Sequence, residues 1–154
     1  MCAGIALVES EVPLGLVGRF DLERRLHTRG GEREFRFLWR DREPLLPVWV
    51  EGQLTFARWG SRQRKSRLPP TGWTWRATVE SGAWSALAPQ PVLIPCNFGL
   101  EKGVWFRVRQ GINGLLVHDE QDTPSVYIIC EPPTRYYQVM TLSDRMPCLV
   151  EEVI

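Results

Sequence analysis

The chain has 154 residues, of which 44% are hydrophobic and 24% charged, and its formal net charge is +1. That is an ordinary globular composition, with enough length over residues 1–154 to bury one domain's core. No apolar run approaches the roughly 20 residues a membrane helix needs, and no basic, then apolar, leader opens the chain. Cys2, Cys96, Cys130 and Cys148 lie far apart, without CxxC or histidines at ligand spacing, which argues against a zinc site and assigns no disulfide framework. The reading is a monomer in a reducing, cytoplasmic setting, with no metal, no cofactor and no membrane partner.

The first segment, "MCAGIA", places a cysteine where termini fray and core residues are uncommon. The position suits a nucleophile. With Met1 removed, Cys2 would carry an α-amine of pKa roughly 7.7–8.0 beside a thiol of about 8.5. Amine and thiol on adjacent carbons capture an aldehyde together, as an imine that the thiol closes to a five-membered thiazolidine. Further on, "DLERRLHT" (21–28) reads as a helix behind an Asp21 N-cap, stopped by Gly30-Gly31. Residues 29–46, with Phe35, Phe37 and Trp39, read as a further strand with a long loop.

From residue 52 onward the chain reads mostly as strands: "GQLTFARW", "PVLIPCNF", "GVWFRVR", "GLLVH" and "SVYIIC". "LTFAR" and "VWFRV" alternate with period two, as strands with one wet face do, whereas "VLIP" and "VYIIC" are continuously apolar, as buried strands are. Helices are expected at "SGAWSALA" (81–88) and at "TRYYQVMTL" (134–142), after Pro132-Pro133. Together these predict one α+β domain dominated by a mixed or antiparallel, barrel-like sheet with a few short helices.

The charges are unevenly placed. No acidic residue occurs between Glu51 and Glu80, a stretch that holds Arg58, Arg62, Arg64, Lys65, Arg67 and Arg76 interleaved with Trp59, Trp73 and Trp75. Guanidiniums that track phosphates and rings that stack bases would make a single-strand groove of this segment. A solvated loop, "GSRQRKSRLPPTG", between strands whose tryptophans are core is the other reading. "HDEQD" (118–122) lacks the spacing and glycine of a calcium loop and reads as a hairpin turn. His27 and His118 read as surface residues, and Cys96, Cys130 and Cys148 as packed thiols.

Four pieces, "MC" at the start, "RWG" at 58–60, "RA" at 76–77 and "DRMP" at 144–147, stand in the order and rough spacing of the SOS-response-associated peptidase (SRAP) family, which the chain resembles from Cys2 to Pro147. A fifth, "IPCNFGLEKG", resembles the family's strand and turn with the catalytic glutamate. The resemblance implies a protein that binds single-stranded DNA and crosslinks abasic sites as a thiazolidine on Cys2. Glu101 would be the acid/base for opening the sugar ring, Trp59 the ring on which DNA stacks, and Arg76 a phosphate or sugar contact, with Arg58, Arg62 and Arg64 nearby in the groove. A cationic groove would also depress the Cys2 thiol. At the family's Asn position stands Thr74 and at its His position Ser143; the opening reads "MCAG" where the family has "MCGR". Serine offers a hydrogen bond but no imidazole proton shuttle. Two alternatives accompany this reading: a module of the same fold that binds DNA or another partner without covalent chemistry, and a cysteine peptidase with Cys2 as nucleophile.

Overall fold

The computed structural model describes residues 2–150 and arranges their strands in two sheets. In the first, β1 (Gly4–Val8) is central. It pairs antiparallel with β3 (Glu32–Leu38) on one side and β8 (Phe98–Glu101) on the other, and β2 (Leu26–Arg29) and β9 (Val104–Arg107) flank these. In the second, β4 (Leu45–Val50), β5 (Gln53–Trp59), β7 (Gln90–Ile94), β10 (Ile112–His118) and β11 (Pro124–Glu131) close a ring, β10–β7–β4–β5–β11 and back to β10. Only the β5–β11 contact in that ring is parallel. β6 (Trp73–Trp75) extends the parallel edge of β11, and β12 (Met146–Pro147) pairs antiparallel with its end. The helices α1 (Leu14–Arg19), α2 (Arg76–Glu80) and α3 (Arg135–Thr141) are short. The architecture is α+β with a mixed, barrel-like sheet, as the sequence predicts.

The continuous apolar run in β11 has a simple cause. Val126, Ile128 and Cys130 enter the main core, which β1, β3, β4 and β5 also line, while Tyr127 and Ile129 pack on the opposite face with Leu68, Trp84, Leu115 and Val117. Both faces are covered, so neither parity can be polar. The two sheets meet at Phe37 and Phe56, whose ring centroids are 5.5 Å apart. Among the described residues, no helix is long and apolar enough to cross a membrane.

Several local expectations are corrected. Residues 21–28 form a 3-10 turn (Leu22–Arg25) running into β2, not a helix, because Asp21 is left-handed (φ 52°) and makes no cap bond; its carboxylate holds Arg24 at 2.8 Å instead. Gly30-Gly31 is therefore the turn of the β2–β3 hairpin rather than a helix stop. In 81–88 only Ser85–Leu87 is helical, as one 3-10 turn, and α2 lies earlier, at the "RA" pair. "PVLIPCNF" divides between the two sheets at Pro95–Asn97. Asn97 makes the transfer: its N–H donates to Ala6 O at 2.8 Å and its Oδ1 accepts from Val8 N at 2.8 Å. The 134–142 helix is present as α3, capped by Thr134, whose Oγ1 accepts from Tyr137 N at 3.2 Å.

Candidate active site

Cys2 is fully buried in the main core. Backbone pairing puts it there: Ala3 N donates to Leu100 O at 2.6 Å and Trp39 N donates to Ala3 O at 3.0 Å, so residues 2 and 3 continue the line of β1 between its two neighbours. The thiol donates to Gly4 O at 3.0 Å. Burial pushes it up to about 11, and the nearby Glu101 charge adds to the rise. The expectation of a thiol depressed by a cationic groove is thus overturned: desolvation opposes the thiolate more strongly than the surrounding groups favour it.

Glu101, at the end of β8, is also buried. Burial raises its carboxyl above the usual range, and the Ser143 hydroxyl, within reach of it, lowers it in part. Lys102 and Gly103, both with positive φ, form the tight turn from β8 to β9, which the hairpin's twist favours. Lys102 Nζ donates to Leu142 O at 2.7 Å, tying this turn to the end of α3. Leu142 is left-handed (φ 59°) and ends the helix, so that Ser143 turns inward, its N–H on Thr141 Oγ1 at 3.2 Å and its Oγ donating to Arg145 O at 3.0 Å. Cys2, Glu101 and Ser143, spread over most of the chain, are thereby brought to one dry corner.

Thr74 is not part of it. Side chains of a strand alternate between faces, and β6 pairs Trp73 with Ile128, Thr74 with Ile129 and Trp75 with Cys130. Trp73 and Trp75 consequently pack on the core that holds Cys2, while Thr74 faces the other cluster and accepts from Trp84 Nε1 at 3.0 Å. Trp75 is the β6 residue on the Cys2 face next to Arg76. Arg76 pairs with Glu131 at 2.9 Å, and Glu131 also accepts from the Cys148 thiol at 3.3 Å. A cavity of about 580 Å³ opens here, lined by Trp75, Arg76, Thr78, Cys130 and Glu131. Cys130, buried in the same core as Cys2, lines this cavity, and burial chiefly, with the Cys2 charge, raises its thiol pKa.

The basic segment is a tethered loop. Trp59, expected to stack on DNA, has no exposed surface; its Nε1 donates to Gly72 O at 2.9 Å and Trp39 packs edge-on against it. The glycine of "RWG" is required there, since at φ 57° a Cβ on Gly60 would sit 2.1 Å from Thr71 O. Arg58, expected to contact DNA, is committed inside the fold, donating to Ser125 Oγ (2.8 Å), Gly60 O (3.1 Å) and Asp119 (3.2 Å). The "HDEQD" segment is the β10–β11 turn, and its acids balance the loop. Asp119 accepts from Gln121 N and Thr123 N at 2.9 Å, and Glu120 accepts from Arg67 N and Ser66 Oγ. Arg67 donates to His118 O at 2.7 Å. Arg62, Arg64 and Lys65 point to solvent, with Arg62 4.8 Å above the Trp39 ring.

The sequence offered no sign of Tyr137, which is fully buried against this corner and feels the charges of Cys2, Glu101 and Cys130. It is one of two buried residues of α3, with Thr141, and so short a helix shows little apolar period to mark its inner face. No family model matches the chain, and neither a curated protein nor a solved structure shows a significant similarity to it.

Proposed function

We propose that the protein captures abasic sites in single-stranded DNA through a thiazolidine on Cys2, with Met1 removed, in a reducing cytoplasm where its four thiols stay free. The observation that carries this reading is the convergence of Cys2, Glu101 and Ser143 in one desolvated corner. Ring opening breaks the bond between C1 and the ring oxygen while the C1 hydroxyl proton moves to that oxygen. A carboxyl whose pKa burial raises above the ordinary carboxylate range holds its proton more readily and is suited to carry it. The Cys2 amine then adds to the aldehyde and water leaves. Addition of the thiol to the imine carbon closes the ring, its proton passing to nitrogen. A thiol pushed up to about 11 stays protonated until that last step, where Glu101 can relay the proton.

The mass of the Met1-processed protein before and after incubation with abasic single-stranded DNA tests this. Wild type gains the oligonucleotide mass, Cys2→Ala gains nothing, and Glu101→Gln gains it about a hundred- to ten-thousand-fold more slowly. A processed wild type that gains no mass overturns the reading. The non-covalent module is the second reading, and the complete burial of Cys2 favours it. A peptidase lacks its base here: His27 is on β2, and His118 ends β10 at the loop tether.

A further inference from the structure

We infer that the Tyr137 hydroxyl is a further catalytic group of this corner, donating a hydrogen bond to the sugar oxygen released when the abasic ring opens; this rests on the abasic-site reading above. A buried tyrosine hydroxyl nearly always finds a partner. Tyr127 obeys the rule, donating to Pro69 O at 2.7 Å. Tyr137 does not: its ring has no exposed surface, and among the described residues no group meets its hydroxyl at full hydrogen-bond distance and angle. The Thr141 hydroxyl lies near enough to lower the phenol's pKa in part, while its own hydrogen bonds run to the Tyr137 carbonyl, donated at 2.8 Å, and from Ser143 N, accepted at 3.2 Å.

The ring is rigidly placed. It stands edge-on to Phe106 with centroids 5.2 Å apart, and Phe106 lies across Gly99 so closely that a Cβ there would come within 2.4 Å of it. Gly99 is two residues before Glu101, so the phenol is fixed over the strand that carries the carboxylate. Phenylalanine would fill the same space without stranding a polar group. Keeping the hydroxyl costs stability, which is intelligible if a ligand satisfies it. Burial, with the neighbouring Cys2 and Glu101, raises the phenol's pKa, so it keeps its proton and acts only as a donor. Glu101 moves the proton, and Tyr137 stabilises the oxygen that receives it. The chain thus holds a donor in the corner where the family pattern has an imidazole and this sequence has Ser143.

The test compares processed wild type and Tyr137→Phe on abasic single-stranded DNA and on propanal, an aldehyde with no ring to open, with a thermal melt of each protein. The expected result is an adduct rate with DNA about tenfold lower for Tyr137→Phe, an unchanged rate with propanal, and a melting temperature raised by about 2–4 °C. Equal rates with DNA overturn the role of Tyr137 and leave the function standing. Equal slowing with both aldehydes, or a lowered melting temperature, also overturns it, as a merely structural role would produce these. A wild type inert toward DNA removes the function, and this inference with it.

Discussion

Glu101 and Asp119 are both nearly inaccessible carboxylates, 2% and 5% exposed, yet their surroundings drive them in opposite directions. Around Glu101, burial dominates and the carboxyl rises. Around Asp119 the Thr123 N–H leads a set of donors, with Gln121 N and the Arg58 guanidinium, that holds it below the usual range. Depth alone therefore does not decide the role of an acid. The balance of donors against burial does: N–H groups and a guanidinium hold Asp119 as a fixed anion, whereas at Glu101 desolvation outweighs the Ser143 hydroxyl and the Lys102 charge. The corner at Cys2 disfavours charge, and the collar at Asp119 fixes a charge that holds a loop.

The largest effect that sharpens this contrast comes from Trp59, which roots the loop in the core. Trp59→Ala should lower stability by about 3–5 kcal/mol in urea denaturation, whereas an exposed stacking ring would leave stability untouched. Next come the two acids, whose pH dependences have opposite sign. Asp119→Asn should cost about 1–3 kcal/mol at neutral pH. Because the Asp119 pKa is lowered on folding, its contribution is present above the unfolded-state value and is lost as pH falls through the folded one. Glu101 is raised, so its contribution is greatest below the unfolded value and declines as pH climbs through the folded one. Melting curves across pH should show Asp119→Asn flattening the acid limb, and Glu101→Gln becoming relatively more stable than wild type toward neutrality. The smallest effect concerns the solvent-facing cations. Arg62→Ala with Arg64→Ala should leave the melting temperature unchanged while reducing the log–log salt slope of single-strand binding by roughly 0.7 per lost phosphate contact.

How much the sequence reveals depends on the range of the interaction that decides each point. The strands β5, β10 and β11 were legible because apolar pattern and β-branched residues are local properties. The existence of α3 was legible too, from the prolines that precede it. Thr74 was misread because its face is set by pairing with Ile129, far along the chain, and a one-residue change of parity exchanges Thr74 for Trp75. Trp59 was misread because its indole partner, Gly72 O, is supplied by the return of the loop that the cations decorate. Asp21 had the composition of a cap and the wrong backbone conformation. The meeting of Cys2 with Glu101 and Ser143 was anticipated through motif resemblance, but the burial that reverses the expected thiol shift was not, since segments near a terminus rarely occupy the middle of a sheet.

The central position of β1 also orders events during synthesis. β1 reaches solvent long before β8, the strand that must close over its far edge. At the ribosome's pace, on the order of ten seconds separate residue 2 from residue 101, and the segment carrying residue 143 arrives later still. Throughout that interval the cysteine has one neighbour strand at most. A processing enzyme, an oxidant or a passing aldehyde can meet it then as an ordinary thiol on a nascent chain. Once β8 pairs and the α3 C-terminal carbonyl takes the lysine of the β8–β9 turn, residue 2 stands between both neighbour strands and meets its carboxylate partner for the first time.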